Sequence, residues 1–124
     1  MIPYIVYKLI HFLGIFVLLI TLAASSMHVV RGGTRADNPQ RRLIGIAHGM
    51  ASFLILLGGF GMLARLGIVQ GGLPTWIFLK LGIWLILSFA LSLAYRGPRL
   101  ARLTFVAMPV FAVLAAALAL YKPF

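Results

Sequence analysis

Six basic or imidazole side chains interrupt the apolar stretches of this chain: Lys8, His11 and His28 in the first, His48 and Arg65 in the second, and Lys80 in the third. An ionisable group held in hydrocarbon is expensive, roughly 2.5–3.5 kcal/mol for a central Lys on insertion scales, so such groups face a protein interior or snorkel to a headgroup. Lys8 and His11 are i and i+3, neighbours on one helix face, and Lys80 lies one turn from Trp76. By depth Lys8, His11, Arg65 and Lys80 group near one membrane boundary and are expected to share one cavity. A Lys in the membrane without a carboxylate partner calls for an anion from a ligand: a porphyrin propionate, a quinone head accepting a hydrogen bond, or a lipid phosphate. The plainer account is that Lys80 snorkels past Trp76 to the interface. His11 is the candidate metal ligand or proton relay, and His11 with Lys80 the candidate catalytic pair. His28 and His48 form a second possible pair, each within one or two turns of the other boundary. Imidazoles on adjacent antiparallel helices can hold a haem iron axially; interfacial packing and another ligand remain alternatives for this pair.

The elements that must position these residues are membrane spans. Of 124 residues, 63% are hydrophobic, and the mean hydropathy of +1.10 exceeds what a soluble domain of this size can bury. A span needs ~20 mostly apolar residues, and four segments qualify: Pro3 to Val30, Leu43 to Leu66, Leu73 to Tyr95 and Leu103 to Tyr121. The connections between them are short and carry Gly32-Gly33, Asn38-Pro39, Gly71-Gly72 and Gly97-Pro98, all helix breakers. Sequential helices therefore pack antiparallel. The predicted fold is all-α, a single four-helix transmembrane bundle running up-down-up-down. Gly45 and Gly49 form a GxxxG, followed by Ala51, Ser52 and Gly58-Gly59-Phe60-Gly61, which predicts a close helix contact along the second span. Pro109 is expected to kink the fourth.

Charge sets the orientation. Seven of the eleven Lys/Arg residues sit in two polar breaks, Arg31, Arg35, Arg41 and Arg42 in the first and Arg96, Arg99 and Arg102 in the third, while the second connection has none. The positive-inside bias puts those breaks in the cytoplasm of a bacterial inner membrane and both termini outward, with Tyr4, Tyr7, Trp76 and Tyr121 in the outer aromatic belt. A cleaved signal peptide ending near Ala23-Ala24-Ser25 is a rival for the first span, and a poor one: the apolar stretch is too long and lacks a basic start. The formal charge of +10 does not make a nucleic-acid binder, since the arginines flank apolar spans as headgroup anchors. The one acid, Asp37, excludes carboxylate-pair hydrolysis and acidic metal sites. There is no cysteine and no phosphate loop. Ser25 and Ser26 near His28 lack an orienting acid for a triad.

Tyr7-Lys8-Leu9-Ile10-His11, with Leu79-Lys80-Leu81 opening the third span, resembles the pattern of the HemJ-type protoporphyrinogen oxidases and of the SirB and CopD-like small membrane proteins. Tyr95-Arg96 stands where that pattern carries a histidine. The resemblance implies a four-helix membrane fold, functional roles for His11 and Lys80, and binding of haem b. Gly58 to Gly67 and Leu120 to Phe124 also resemble a set of bacterial membrane proteins of this length. Two functions follow as expectations: a redox protein interacting with haem or quinone, or an accessory subunit of a larger membrane complex. A transporter is a third, requiring a homo-oligomer.

Overall fold

In the computed structural model, which describes residues 3–67, 72 and 75–121, four helices form an all-α bundle: α1 (Tyr4–Val30), α2 (Arg41–Leu66), α3 (Thr75–Ala94) and α4 (Pro98–Tyr121). All four are long and apolar enough to cross a membrane. Large apolar residues on their outward faces are open to the surroundings, Phe16 at 61%, Phe89 at 66% and Val113 at 67%. A soluble protein does not present such faces on every helix; a multi-pass membrane protein presents them to lipid. Much of the expected connection from Gly67 to Pro74, and Lys122, lie outside the described residues.

Helix ends follow local chemistry. α1 stops at a glycine turn: Gly32 has φ 98°, its N–H donates to Val29 O (2.9 Å), and the Gly33 N–H donates to His28 O (3.0 Å). This is the paired hydrogen-bond pattern that satisfies the last carbonyls of a helix. α2 ends at a left-handed glycine, Gly67, φ 72°, whose N–H donates to Ala64 O. α4 begins at Pro98, five residues before the apolar segment. Proline is well suited to a first helical position because its missing N–H has no partner there, so Arg99 and Arg102 belong to helix and not to a loop.

α1 packs along α2 far more extensively than any other pair, and also touches α4 and α3; α3 packs on α4, α2 and α3 meet only lightly, and α2 and α4 do not meet. The core is formed by Leu18, Leu22, Ala51, Leu87 and Ala90, with Ile55, Ile83 and Met108 at its edge. Asn38 is buried in the first connection and its Nδ2 donates to Tyr95 Oη at 3.0 Å, tying that connection to the end of α3.

The small residues of α2 divide into two sets. A Cβ at Gly58 would lie 2.6 Å from His11 N and Tyr7 O, and one at Gly61 would overlap the Tyr7 ring. Gly14 of α1 similarly abuts Ala51 O at 2.8 Å. Gly45 and Gly49, in contrast, have nothing within 4 Å of a built Cβ. The close approach expected along the whole stripe thus runs from Ala51 to Gly61 and leaves out Gly45 and Gly49. The reason is geometric: 45 and 49 fall on a helix face turned away from α1.

Candidate functional site

His11 is held where α1 lies on the glycines of α2. Gly58 admits the backbone of α1, and a Cβ at Gly59 would already touch the imidazole at 3.5 Å, so the ring rests on bare α2 backbone. His11 Nδ1 stands 2.8 Å from Ile55 O. A carbonyl only accepts, so Nδ1 carries the hydrogen and donates it. The neutral ring then has its lone pair on Nε2, which makes no hydrogen bond among the described residues. His11 is 9% exposed. An imidazole with one nitrogen pinned to a backbone carbonyl and the other free has the arrangement usual for a metal-ligating or base histidine.

Lys80, half-buried on α3, carries its Nζ 6.0 Å from the Trp76 ring centroid. Lys8 lies one turn from His11 with its ammonium against its own helix, 6.0 Å from the Tyr4 ring and 5.9 Å from the Phe12 ring. Arg65 sits at the exposed end of α2, two turns beyond Gly58.

The other two histidines have separate partners. His48 is buried and both its nitrogens are engaged, Nε2 at 2.9 Å from Ser88 O and Nδ1 at 2.9 Å from Thr21 Oγ1. Around it, Ser52 Oγ donates to His48 O (2.9 Å), Trp84 Nε1–H donates to Ser52 O (3.0 Å) and Ser88 Oγ donates to Ser52 Oγ (3.3 Å). Side chains therefore span the light α2–α3 contact that backbone does not close. Thr21, Ser52, Trp84 and Ser88 were not singled out from the sequence as partners of His48. The signal available was the i, i+4 spacing of polar groups at matching depth, Thr21 and Ser25, His48 and Ser52, Trp84 and Ser88, one pair on each of three spans.

His28, in the last turn of α1, is bonded to the first connection. Its Nε2–H is shared between Asp37 Oδ1 (2.7 Å) and Thr34 O (2.9 Å), and the Thr34 N–H donates to the same carboxylate oxygen at 2.7 Å. A side chain at Gly33 would overlap the His28 ring, so glycine is required at that close approach. The Thr34 N–H, and after it the His28 ring, hold the exposed Asp37 carboxyl below the usual carboxylate range. Among the described residues no group of three His, Cys, Asp or Glu is placed to hold a metal ion.

No family model, no curated protein and no solved structure matches this chain.

Proposed function

We propose that this multi-pass protein is a small membrane redox protein whose site is formed by His11 and Lys80 and takes a haem b or a quinone. The observation that carries the reading is the Nδ1–H···O=C bond from His11 to Ile55, 2.8 Å long. It fixes the tautomer, orients the ring and leaves the Nε2 lone pair for a ligand, either as an iron donor or as an acceptor for a quinol hydroxyl. Of the three histidines, His48 has both nitrogens occupied and His28, in the last turn of α1, is bound to Asp37 of the first connection. Lys80 supplies the positive charge for a propionate or a donor for a quinone oxygen. No side-chain carboxylate competes for it, because the chain's one acid is Asp37, which is bound within its own connection. The donor chemistry thus fits either group, and a bound haem or quinone supplies reversible electron transfer. On this reading the resemblance to HemJ-type proteins reflects a shared site. The Arg-rich connections lie in the cytoplasm of a bacterial inner membrane and both termini lie outside.

The test is the absorption spectrum of the purified protein, with organic extraction of the same sample. A Soret band that shifts on dithionite identifies haem; a colourless protein with extractable quinone identifies the other ligand. His11→Leu is expected to remove either while leaving membrane insertion intact, because Leu inserts more readily than His. Protein free of both, or a normally inserted His11→Leu variant that retains its ligand, refutes the site.

A second reading, an accessory subunit of a larger membrane complex, is favoured by one observation: Gly45 and Gly49 present bare backbone on an outward face, where a partner helix could approach closely. It predicts a colourless protein that co-purifies with larger membrane partners and loses them on Gly49→Ile.

A further inference from the structure

The hydrogen-bond network around His48 contains one proton too few for a neutral ring. Ser88 O accepts only, so the His48 Nε2 that faces it at 2.9 Å carries a hydrogen. In the neutral imidazole Nδ1 is then a bare acceptor. Thr21 Oγ1 stands 2.9 Å from that nitrogen and 2.7 Å from Leu18 O. One hydroxyl proton therefore faces two acceptors and can satisfy only one. Protonation of the ring resolves the shortage: Nδ1–H donates to Thr21 Oγ1, the Thr21 hydroxyl donates to Leu18 O, and each of these three short distances becomes a hydrogen bond.

We propose that His48 is a proton-binding site inside the membrane, and that the Thr21 hydroxyl is the group that redistributes its proton when His48 gains one. On uptake, the incoming proton resides on Nδ1, and the Thr21 hydroxyl, its O–H bond intact, turns its hydrogen from Nδ1 to Leu18 O. The charge rises by one and no bond between heavy atoms changes. The proposal is independent of whether His11 takes a ligand.

The surroundings suit this role. His48 is seven residues from Arg41, hence about 10 Å along α2 from the Arg-rich end. From α1 it faces Thr21, and the nearest titratable group of that helix on this side is His28, two turns on and bound to Asp37. From α3 it faces Ser88, and Tyr95, two turns on, is bound by Asn38. On α2 itself Arg41 donates to Ala36 O and Asn38 O. α4 does not pack against α2. Toward the Arg-rich end, Ser25 Oγ donates to Thr21 O (2.9 Å). Next to it Ser26 Oγ is the one buried side-chain oxygen among the described residues without a partner. It retains the capacity to bind a water at that depth.

The test is a nitrogen-15 NMR titration of histidine-labelled protein in lipid nanodiscs from about pH 4 to about pH 9, with His48→Gln used to assign the signals. His48 is expected to pass from one to two protonated ring nitrogens as pH falls, with Nε2 protonated throughout. Thr21→Val, which removes the hydroxyl at nearly constant volume, is expected to displace the midpoint; Thr21→Ser and the distant Thr104→Val are expected to keep it. A His48 ring that holds a single proton over the whole range, or titrates identically in Thr21→Val, overturns the proposal. The wild-type titration decides alone should Thr21→Val fail to insert.

Discussion

Replacing Gly58 by alanine tests the contact on which the His11 site rests. The added Cβ would lie 2.6 Å from His11 N and Tyr7 O, and ordinary contact begins at 3.4 Å, so the two helices must separate by about 0.8 Å. Two of the three nearest atoms are backbone and the third is the His11 Cβ at 2.7 Å, so no flexible side-chain end can swing aside. The same displacement would stretch the 2.8 Å His11–Ile55 bond to about 3.6 Å, beyond hydrogen-bonding distance. Overpacking costs about 1–3 kcal/mol and a lost hydrogen bond about 0.5–1.5 kcal/mol, against a gain of about 0.5–1 kcal/mol for Ala over Gly in a helix. The net expectation is a loss of roughly 0.5–4 kcal/mol. Gly45→Ala and Gly49→Ala, where a Cβ meets open space, should be neutral or slightly stabilising. Equilibrium unfolding in mixed micelles with increasing SDS, followed by tryptophan fluorescence, measures all three. The reasoning fails if Gly58→Ala unfolds at the wild-type SDS fraction, or if Gly45→Ala is equally destabilised.

Three further outcomes are expected. Alkaline phosphatase fused after the last residue should be active only outside the cytoplasm; activity confined to the cytoplasm would invert all four spans. Leu22→Ala, at a position 0% exposed, should cost about 2 kcal/mol through the cavity it leaves, whereas Phe16→Ala, 61% exposed toward lipid, should cost far less. Equal losses in SDS unfolding would show that the faces are misassigned. The Thr34 N–H, and after it the His28 ring, hold the folded Asp37 carboxyl below the usual carboxylate range, so its stabilisation of the first connection is fully present above that range and disappears as pH falls through the depressed pKa. Proteolysis of the connection in Asp37→Asn should then be faster than in wild type at neutral pH, and the difference should vanish in strong acid.

The spans were legible because each is a long apolar run that only a helix can carry through a bilayer, and all four are present within a few residues of their expected ends. The start of α4 was the main displacement: hydropathy begins at Leu103, but the helix begins at Pro98, since a polar first turn at the headgroups is as helical as the apolar part. His11 and Lys80 stood out as ionisable residues in hydrocarbon, and their expected proximity across three helices rested on depth alone. The pairing of His28 with Asp37 depends on Gly32 turning the chain back, a matter of one dihedral angle. The partners of His48 depend on the rotation of α1 and α3 about their axes. Spacing along one helix does not encode that rotation when polar residues are few and every face is apolar.

The uneven packing of the four helices bears on how the bundle assembles. The most extensive contact joins α1 to α2, both of which precede α3 in the chain, and its close points, Gly14 against Ala51 and Ile55 and Gly58 against Tyr7 and His11, lie wholly within that hairpin. The first hairpin can therefore acquire its native contacts before α3 exists, with little chain entropy to overcome. The second hairpin, α3 with α4, packs on α1. Across the light α2–α3 seam the two halves are joined by side chains, His48 to Ser88 and Trp84 and Ser88 to Ser52. These hydrogen bonds act as a latch between two hairpins whose backbones barely meet there.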